Sequence, residues 1–126
     1  MKSNDYIKDA IVTESRDFGA MNTRLNDDGL KRLLHAGIGL STESGEFLDA
    51  LKKHIFYGKP LDRVNLKEEM GDLFWYLAIA CDELGVDFEP LMETNIAKLK
   101  ARYGEKFSEA AAEKRDLKAE REILEQ

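Results

Sequence analysis

The sequence predicts an all-α protein, a single domain spanning 1–126 and built on four helices. Apolar residues recur every three or four positions through long stretches, which is the period of an amphipathic helix. Only two prolines interrupt the chain, Pro60 and Pro90. No pair of alternating strands joined by a tight turn stands out. Together these observations favour a helical bundle.

The first two helices are predicted in the N-terminal half. The first covers about 5–18 and ends near Gly19, and the Asn-, Asp- and Thr-rich stretch 19–28 is predicted to be a loop. The second covers about 29–56, where apolar side chains form one broad stripe. It is predicted to stop at Gly58 and Pro60, which make a short connection.

Two more helices and a tail follow. The third helix covers about 62–84, with Asp62 as its N-cap and Gly85 at its end. The fourth covers about 88–103, with Asp87 as its N-cap, and Gly104 breaks it. The remaining segment, about 108–126, is charge-rich with little apolar content. It is expected to lie peripherally on the surface or to reach over a partner.

Charge and composition restrict the possible partners. The formal net charge of −6 provides no basic field for a nucleic acid polymer, although a metal could screen a site for small nucleotides. The single cysteine, Cys81, cannot form an internal disulfide, which favours a reducing, cytoplasmic location. No apolar stretch approaches the ~18 residues of a membrane span, and the polar N-terminus does not look like a signal peptide. We therefore expect neither a membrane nor a nucleic acid polymer among the partners.

One segment of the third helix predicts self-association. The run 73–81 is apolar all the way round the helix, which is typical of a helix buried on more than one side. In a domain this small, such burial suggests a subunit interface. We expect a homo-oligomer, either a dimer or a tetramer.

Two pairs of carboxylates carry the chemistry of the chain. Glu43 and Glu46 are three residues apart on the second predicted helix, and Glu69 and Asp72 are three apart on the third. Residues three apart lie on the same side of a helix, so antiparallel packing would bring all four acids together. Uncompensated carboxylates in a partly buried cleft repel each other and lose hydration, so the arrangement calls for cations. Oxygen-only ligands suit Mg²⁺ or Mn²⁺, which usually serve phosphate chemistry.

A single E-x-x-E pattern is weak support, since in a chain with 25 acidic residues it usually marks a solvated face. Two such pairs on adjacent helices, with the small residues Ala36, Gly39 and Ala50 beside the first, favour a metal site. The chain has no Gly-rich phosphate loop and no Ser or Cys nucleophile with a histidine placed to activate it.

An ordered set of three motifs resembles the MazG-like nucleotide pyrophosphohydrolases. The motifs are E-x-x-E, E-x-x-D and N-x-x-K-L-x-x-R-Y, and the residues that carry them lie within 39–46, 51–53, 57–59, 68–77, 95–103 and 107–110. The resemblance covers about 33–116. It implies an all-α NTP pyrophosphatase that uses Mg²⁺ to hydrolyse (deoxy)nucleoside triphosphates to the monophosphate and pyrophosphate. It also implies that Glu43, Glu46, Glu69 and Asp72 are the metal ligands and catalytic residues.

The third motif supplies candidate substrate-binding residues. Asn95, Lys98 and Arg102 share a face of the fourth helix, and Tyr103 follows them. A basic stripe is usually solvated, but beside a metal–triphosphate site these cations would bind the outer phosphate oxygens. Weaker candidates are Lys52, Lys53 and Lys59 for phosphate, Trp75 for base stacking and Glu68 for activation of water.

Two other functional classes are compatible with the same sequence. The same chain could be a helical interaction module whose acids are merely solvated, or a nucleotide-binding sensor without turnover. The sequence does not identify the base or sugar, nor does it separate house-cleaning from control of a nucleotide pool.

Overall fold

The computed structural model describes residues 1–104 and 106–126, and within those residues all regular secondary structure is helical. The helices are α1 (Ser3–Ile11), α2 (Phe18–Leu25), α3 (Asp28–Tyr57), α4 (Arg63–Leu84), α5 (Phe88–Tyr103), α6 (Glu109–Glu113) and α7 (Leu117–Leu124). The all-α prediction is confirmed. The predicted count of four is too low, because the N-terminal region forms two helices and the C-terminal segment forms two more.

The structure contradicts the predicted boundaries of the N-terminal region, where two short helices replace one helix and a loop. The first helix ends at Ile11, and the Thr13 hydroxyl donates a hydrogen bond to the Ala10 carbonyl at 2.7 Å. A new helix starts at Phe18 because the Asp17 carboxylate accepts a hydrogen bond from the Ala20 amide at 3.0 Å. Part of the predicted loop at 19–28 is therefore the helix α2.

The two long helices match their predictions to within one residue at each end. Asp27 caps α3 and Asp62 caps α4, each accepting a hydrogen bond from an amide three residues further on. Gly58 and Gly85 follow their C-termini with φ of 67° and 66°. This left-handed conformation costs glycine little, and it ends each helix at a fixed residue.

The fourth predicted helix is α5, with the predicted bounds. Asp87 occupies the predicted N-cap position, but its side chain makes no capping hydrogen bond. Gly104 ends the helix with a φ of 64°.

Two pairs of helices account for most of the packing. The hairpin of α3 and α4 is antiparallel, since Arg32 pairs with Asp82 at 2.6 Å while His35 lies against the ring of Tyr76. The second pair is α5 with α7, so part of the segment 108–126 packs against α5. The rings of Phe74 and Phe88 pack edge to face, with 6.3 Å between their centroids, and this contact joins α4 to the start of α5. None of the described helices combines the length and the apolar composition that a membrane span requires.

Close contact within the hairpin depends on small side chains of α3. Ala36 is 1% exposed, and Gly39 is buried against the ring of Tyr76. A Cβ atom at residue 39 would overlap that ring, whereas a Cβ at Gly37 would meet nothing within 4 Å. The two glycines therefore provide a matched pair for testing the packing.

We predict that Gly39→Ala destabilises the fold by about 1–3 kcal/mol, because the methyl group must displace the Tyr76 ring. Gly37→Ala should instead raise stability by up to about 1 kcal/mol, since alanine favours the helix and meets no neighbour. Urea unfolding followed by circular dichroism measures both. Equal effects of the two substitutions would show that residue 39 does not limit the approach of α3 to α4.

Candidate metal centre

The α3–α4 hairpin brings three of the four predicted acids together. Glu43 of α3 faces Glu69 and Asp72 of α4, and one oxygen from each lies within 4.8 Å of the others. The antiparallel register produces this meeting, because pairs three residues apart on each helix point to the same side. The acids are thus held by two long helices rather than by a loop.

Glu69 is the most enclosed member of the cluster, at 9% exposed, while Glu43 is half-buried and Asp72 is exposed. A hydrogen bond with Glu43, followed by burial and by the charges of the neighbouring acids, raises the pKa of Glu69 to about 7. Two carboxylates can hydrogen-bond to each other only when one keeps a proton. In the absence of a cation, a proton on Glu69 would therefore relieve part of the repulsion in this cluster.

The same features fit a divalent cation. The ligand atoms are carboxylate oxygens alone, which hard cations such as Mg²⁺ and Mn²⁺ prefer. A cation bound here would take the place of that proton and neutralise the negative charge of the carboxylates. In the part of the chain that the structure describes, no Lys or Arg forms an ion pair with Glu43, Glu69 or Asp72.

The fourth predicted ligand, Glu46, lies at the edge of this cluster. It is exposed and outside the closely spaced set of three, yet its charge contributes to the raised pKa of Glu69. Glu46 also lines a cavity of about 240 Å³, together with Lys53 and Lys59 near the α3–α4 connection. The predicted convergence is therefore seen for three acids, with Glu46 between them and this cavity.

The weaker candidates lie on the same hairpin. Lys52 and Lys53 both form ion pairs with Asp49, at 3.3 and 2.6 Å. Glu68 is exposed next to Glu69. Trp75 is 57% exposed, and its ring centroid lies 5.0 Å from that of Tyr76.

The predicted substrate-binding residues lie on α5, which packs mainly against α7. Asn95 is exposed, whereas Lys98 and Tyr103 are half-buried. The Arg102 guanidinium donates two hydrogen bonds to Glu120 of α7, and among the described ion pairs neither Lys98 nor Arg102 joins the carboxylate cluster.

Sequence reasoning missed the ion pairs of Glu120 with Arg102 and Arg115. The partners are 18 and 5 residues apart, and neither separation is a helical neighbour spacing. One sequence signal for this packing was the pair Ala119 and Ile123, which lie four residues apart on one side of α7 and are both half-buried in the structure.

The fold and the acidic cluster define a class, that of all-α proteins whose helices hold a carboxylate site suited to a divalent cation. The model of one family, the MazG nucleotide pyrophosphohydrolase domain, matches residues 34–107, more than half of the chain, and the chain belongs to this family. The match includes all four predicted acids and ends before α6. Membership suggests nucleotide pyrophosphohydrolase activity, and the family is typically metal-dependent.

A second comparison found a relative from a phage. The chain is similar to the Gene 37 protein of Mycobacterium phage L5, with 29% identity over 79 residues, covering 60% of this chain and 69% of that protein. No solved structure matches the chain.

We predict that Mg²⁺ raises the melting temperature by several degrees, because an ion that binds only the folded chain shifts unfolding by mass action.

The pKa of Glu69 is raised from 4.5 to about 7, so between these pH values the folded chain binds more protons than the unfolded chain. The contribution of Glu69 to metal-free stability should therefore fall as the pH rises through this range. Mg²⁺ needs ionised ligands, so its effect should be larger at about pH 8 than at about pH 5. Thermal melts with Mg²⁺ or EDTA measure both effects.

The matched variants for these melts are Glu69→Gln and Glu93→Gln. The first removes a buried carboxylate of the cluster, and the second removes an exposed carboxylate of α5. The Mg²⁺ effect should vanish in the first and persist in the second. An identical melting temperature with Mg²⁺ and with EDTA in the unmodified protein would exclude a preformed site.

Proposed function

We propose that this protein hydrolyses (deoxy)nucleoside triphosphates to the monophosphate and pyrophosphate in a reaction that depends on Mg²⁺, with Mn²⁺ as a substitute. The observation that carries the proposal is the carboxylate cluster of Glu43, Glu69 and Asp72 inside the family-matching segment 34–107. The reaction would serve control of a nucleotide pool or house-cleaning.

In this proposal Glu43, Glu46, Glu69 and Asp72 hold the cation. A bound divalent cation supplies Lewis-acid activation of water and neutralises charge on the phosphates. The chain itself contributes orientation of the attacking water by a carboxylate, for which Glu43, Glu46 and Glu68 are the candidates. Rigid placement on two packed helices supports this role, since the acids are held near their working positions before substrate binds.

The phosphate and base contacts are assigned to other residues. Lys98 and Arg102 bind the outer phosphate oxygens, with Asn95 and Tyr103 beside them on α5. Lys52 and Lys53 add positive charge near the α3–α4 connection, and the exposed ring of Trp75 offers a surface for base stacking.

We also propose that the working protein is a homo-oligomer, a dimer or a tetramer, with the 73–81 segment of α4 at the interface. Within the described residues no large side chain is fully buried. Phe74 and Trp75 are both more than half exposed, although α4 contributes to the most extensive packing of the chain. Exposed apolar surface of this extent is typical of an interaction site.

We predict that pyrophosphate is released from at least one of eight (deoxy)nucleoside triphosphates, and only when Mg²⁺ or Mn²⁺ is present. Glu43→Gln, Glu46→Gln, Glu69→Gln and Asp72→Asn should each lower kcat by at least ~10²-fold, because each removes a charge that stabilises the transition state. Glu93→Gln, on an exposed part of α5, should keep the unmodified rate.

Circular dichroism on the same variants controls for folding. Unmodified turnover in both Glu46→Gln and Asp72→Asn would contradict the assignment of the site. Nucleotide binding without pyrophosphate release would instead indicate a sensor, and the absence of both would indicate a helical interaction module.

We predict that light scattering gives a mass at least twice the 14.3 kDa of one chain at micromolar concentration. Trp75→Glu should lower this mass, because it places a charge in the proposed interface, whereas Val12→Glu, outside any helix, should not. A monomeric unmodified protein would contradict the proposed assembly. An intact, folded Trp75→Glu oligomer would place the interface elsewhere.

A further inference from the structure

The most buried acidic side chain among the described residues, Glu120, lies outside the family-matching segment. It is 4% exposed and belongs to α7. Its carboxylate accepts hydrogen bonds from Nε and Nη2 of Arg102 at 2.7 and 3.1 Å, and from Nη2 and Nε of Arg115 at 2.6 and 3.4 Å. These bonds to Arg102 and Arg115 lower the pKa of Glu120 to about 2, so the carboxylate stays ionised near neutral pH.

The contact leaves part of the Arg102 guanidinium free to bind another group. Glu120 takes the edge formed by Nε and Nη2, and the Tyr103 side chain also contacts the guanidinium, whose Cζ lies 5.5 Å from the ring centroid, so Nη1 is the nitrogen that Glu120 leaves available. A guanidinium has five N–H donors and can bind anions along more than one edge. Arg102 can therefore hold Glu120 and a phosphate oxygen together.

The charge of the cluster also suits an anion. A single Arg–Glu pair is neutral, but here one carboxylate lies between the two guanidiniums of Arg102 and Arg115. The three side chains therefore carry one net positive charge. This charge lies at the C-terminal end of α5, one helical turn beyond Lys98.

Replacement of Glu120 by a phosphate is unfavourable. The Glu120 and Arg102 side chains are 6% and 13% exposed, so their separation would leave a buried charge with fewer partners. A phosphate bound alongside Glu120 avoids this cost. It also meets an arginine whose rotamer is already fixed, so less conformational entropy is lost on binding.

We infer that Glu120 is a positioning residue that holds Arg102 in place for the outer phosphates of the substrate, so that α7 forms part of the substrate site. This inference rests on the proposed function, in which Arg102 binds those phosphates. It extends the site beyond the segment 34–107 that defines the family.

The test compares Glu120→Gln with a matched control at the C-terminal end of the same helix, α7. Glu125 also pairs with an arginine, Arg121, but is 58% exposed, so Glu125→Gln removes a similar interaction without altering Arg102. Glu120→Gln should raise KM for triphosphate roughly tenfold to hundredfold, the effect of losing a charge-assisted hydrogen bond, with kcat nearly unchanged. Glu125→Gln should match the unmodified protein.

A double-mutant cycle separates positioning from a general effect on folding. In an Arg102→Met background, adding Glu120→Gln should leave KM unchanged, because the residue through which Glu120 acts is already gone. Glu120→Asp keeps the charge on a shorter side chain and should give a smaller rise in KM. That variant serves as the test if Glu120→Gln does not fold by circular dichroism.

The inference would be overturned if KM were unchanged in folded Glu120→Gln, or if adding Glu120→Gln raised KM further in the Arg102→Met background. Either result would mean that Glu120 only stabilises the packing of α7 against α5. A lower KM would overturn the inference in favour of competition between Glu120 and substrate. Calorimetry with Mg²⁺ and inorganic tripolyphosphate makes the same comparison without turnover, so absent hydrolysis would count against the proposed function alone.

Discussion

The packing of α3 against α4 is the constraint on which the rest of the structure depends. Its register places Glu43 opposite Glu69 and Asp72, and any slip along the helix axes would separate them. Contacts at both ends of the hairpin fix that register. At one end Arg32 pairs with Asp82 and Glu83 at 2.6 and 2.9 Å, and at the other Gly58 and Asp62 set the length of the connection. The close approach of Gly39 to Tyr76 fixes the distance between the two helices.

This arrangement holds like charges together against their repulsion. The raised pKa of Glu69 records the effect, and its causes are contact with Glu43, burial and neighbouring acids. Functional sites often store unfavourable interactions that the rest of a fold compensates. Here the compensation comes from the contacts of the same hairpin. A cation at the cluster would convert the repulsion into binding energy, which is why metal binding and folding stability are expected to be coupled.

The parts of the fold that local sequence determines were the predictable ones. The bounds of α3, α4 and α5 follow from helical periodicity and from glycines such as Gly85 and Gly104. The sequence does not predict α2 because the Asn and Thr residues of this stretch are typical of a loop. The structure shows that the Asp17 carboxylate caps a helix there, by accepting a hydrogen bond from the Ala20 amide. Glu46 lies at the cluster's edge although it is spaced from Glu43 as Asp72 is from Glu69, so the spacing alone does not select the three members, and their meeting depends on how α3 packs against α4. The Arg102–Glu120 pair joins segments 18 residues apart, and that contact depends on how α7 packs against α5.

Anomalous diffraction from crystals soaked in Mn²⁺ tests most directly whether these carboxylates form the proposed divalent cation site. We expect one or more anomalous peaks in contact with the carboxylates of Glu43, Glu69 and Asp72, with Glu46 turned towards them. Glu69→Gln crystals, soaked identically, should lose these peaks. Density for Mn²⁺ only at other surface acids, with Glu43 and Glu69 still hydrogen-bonded to each other, would contradict it.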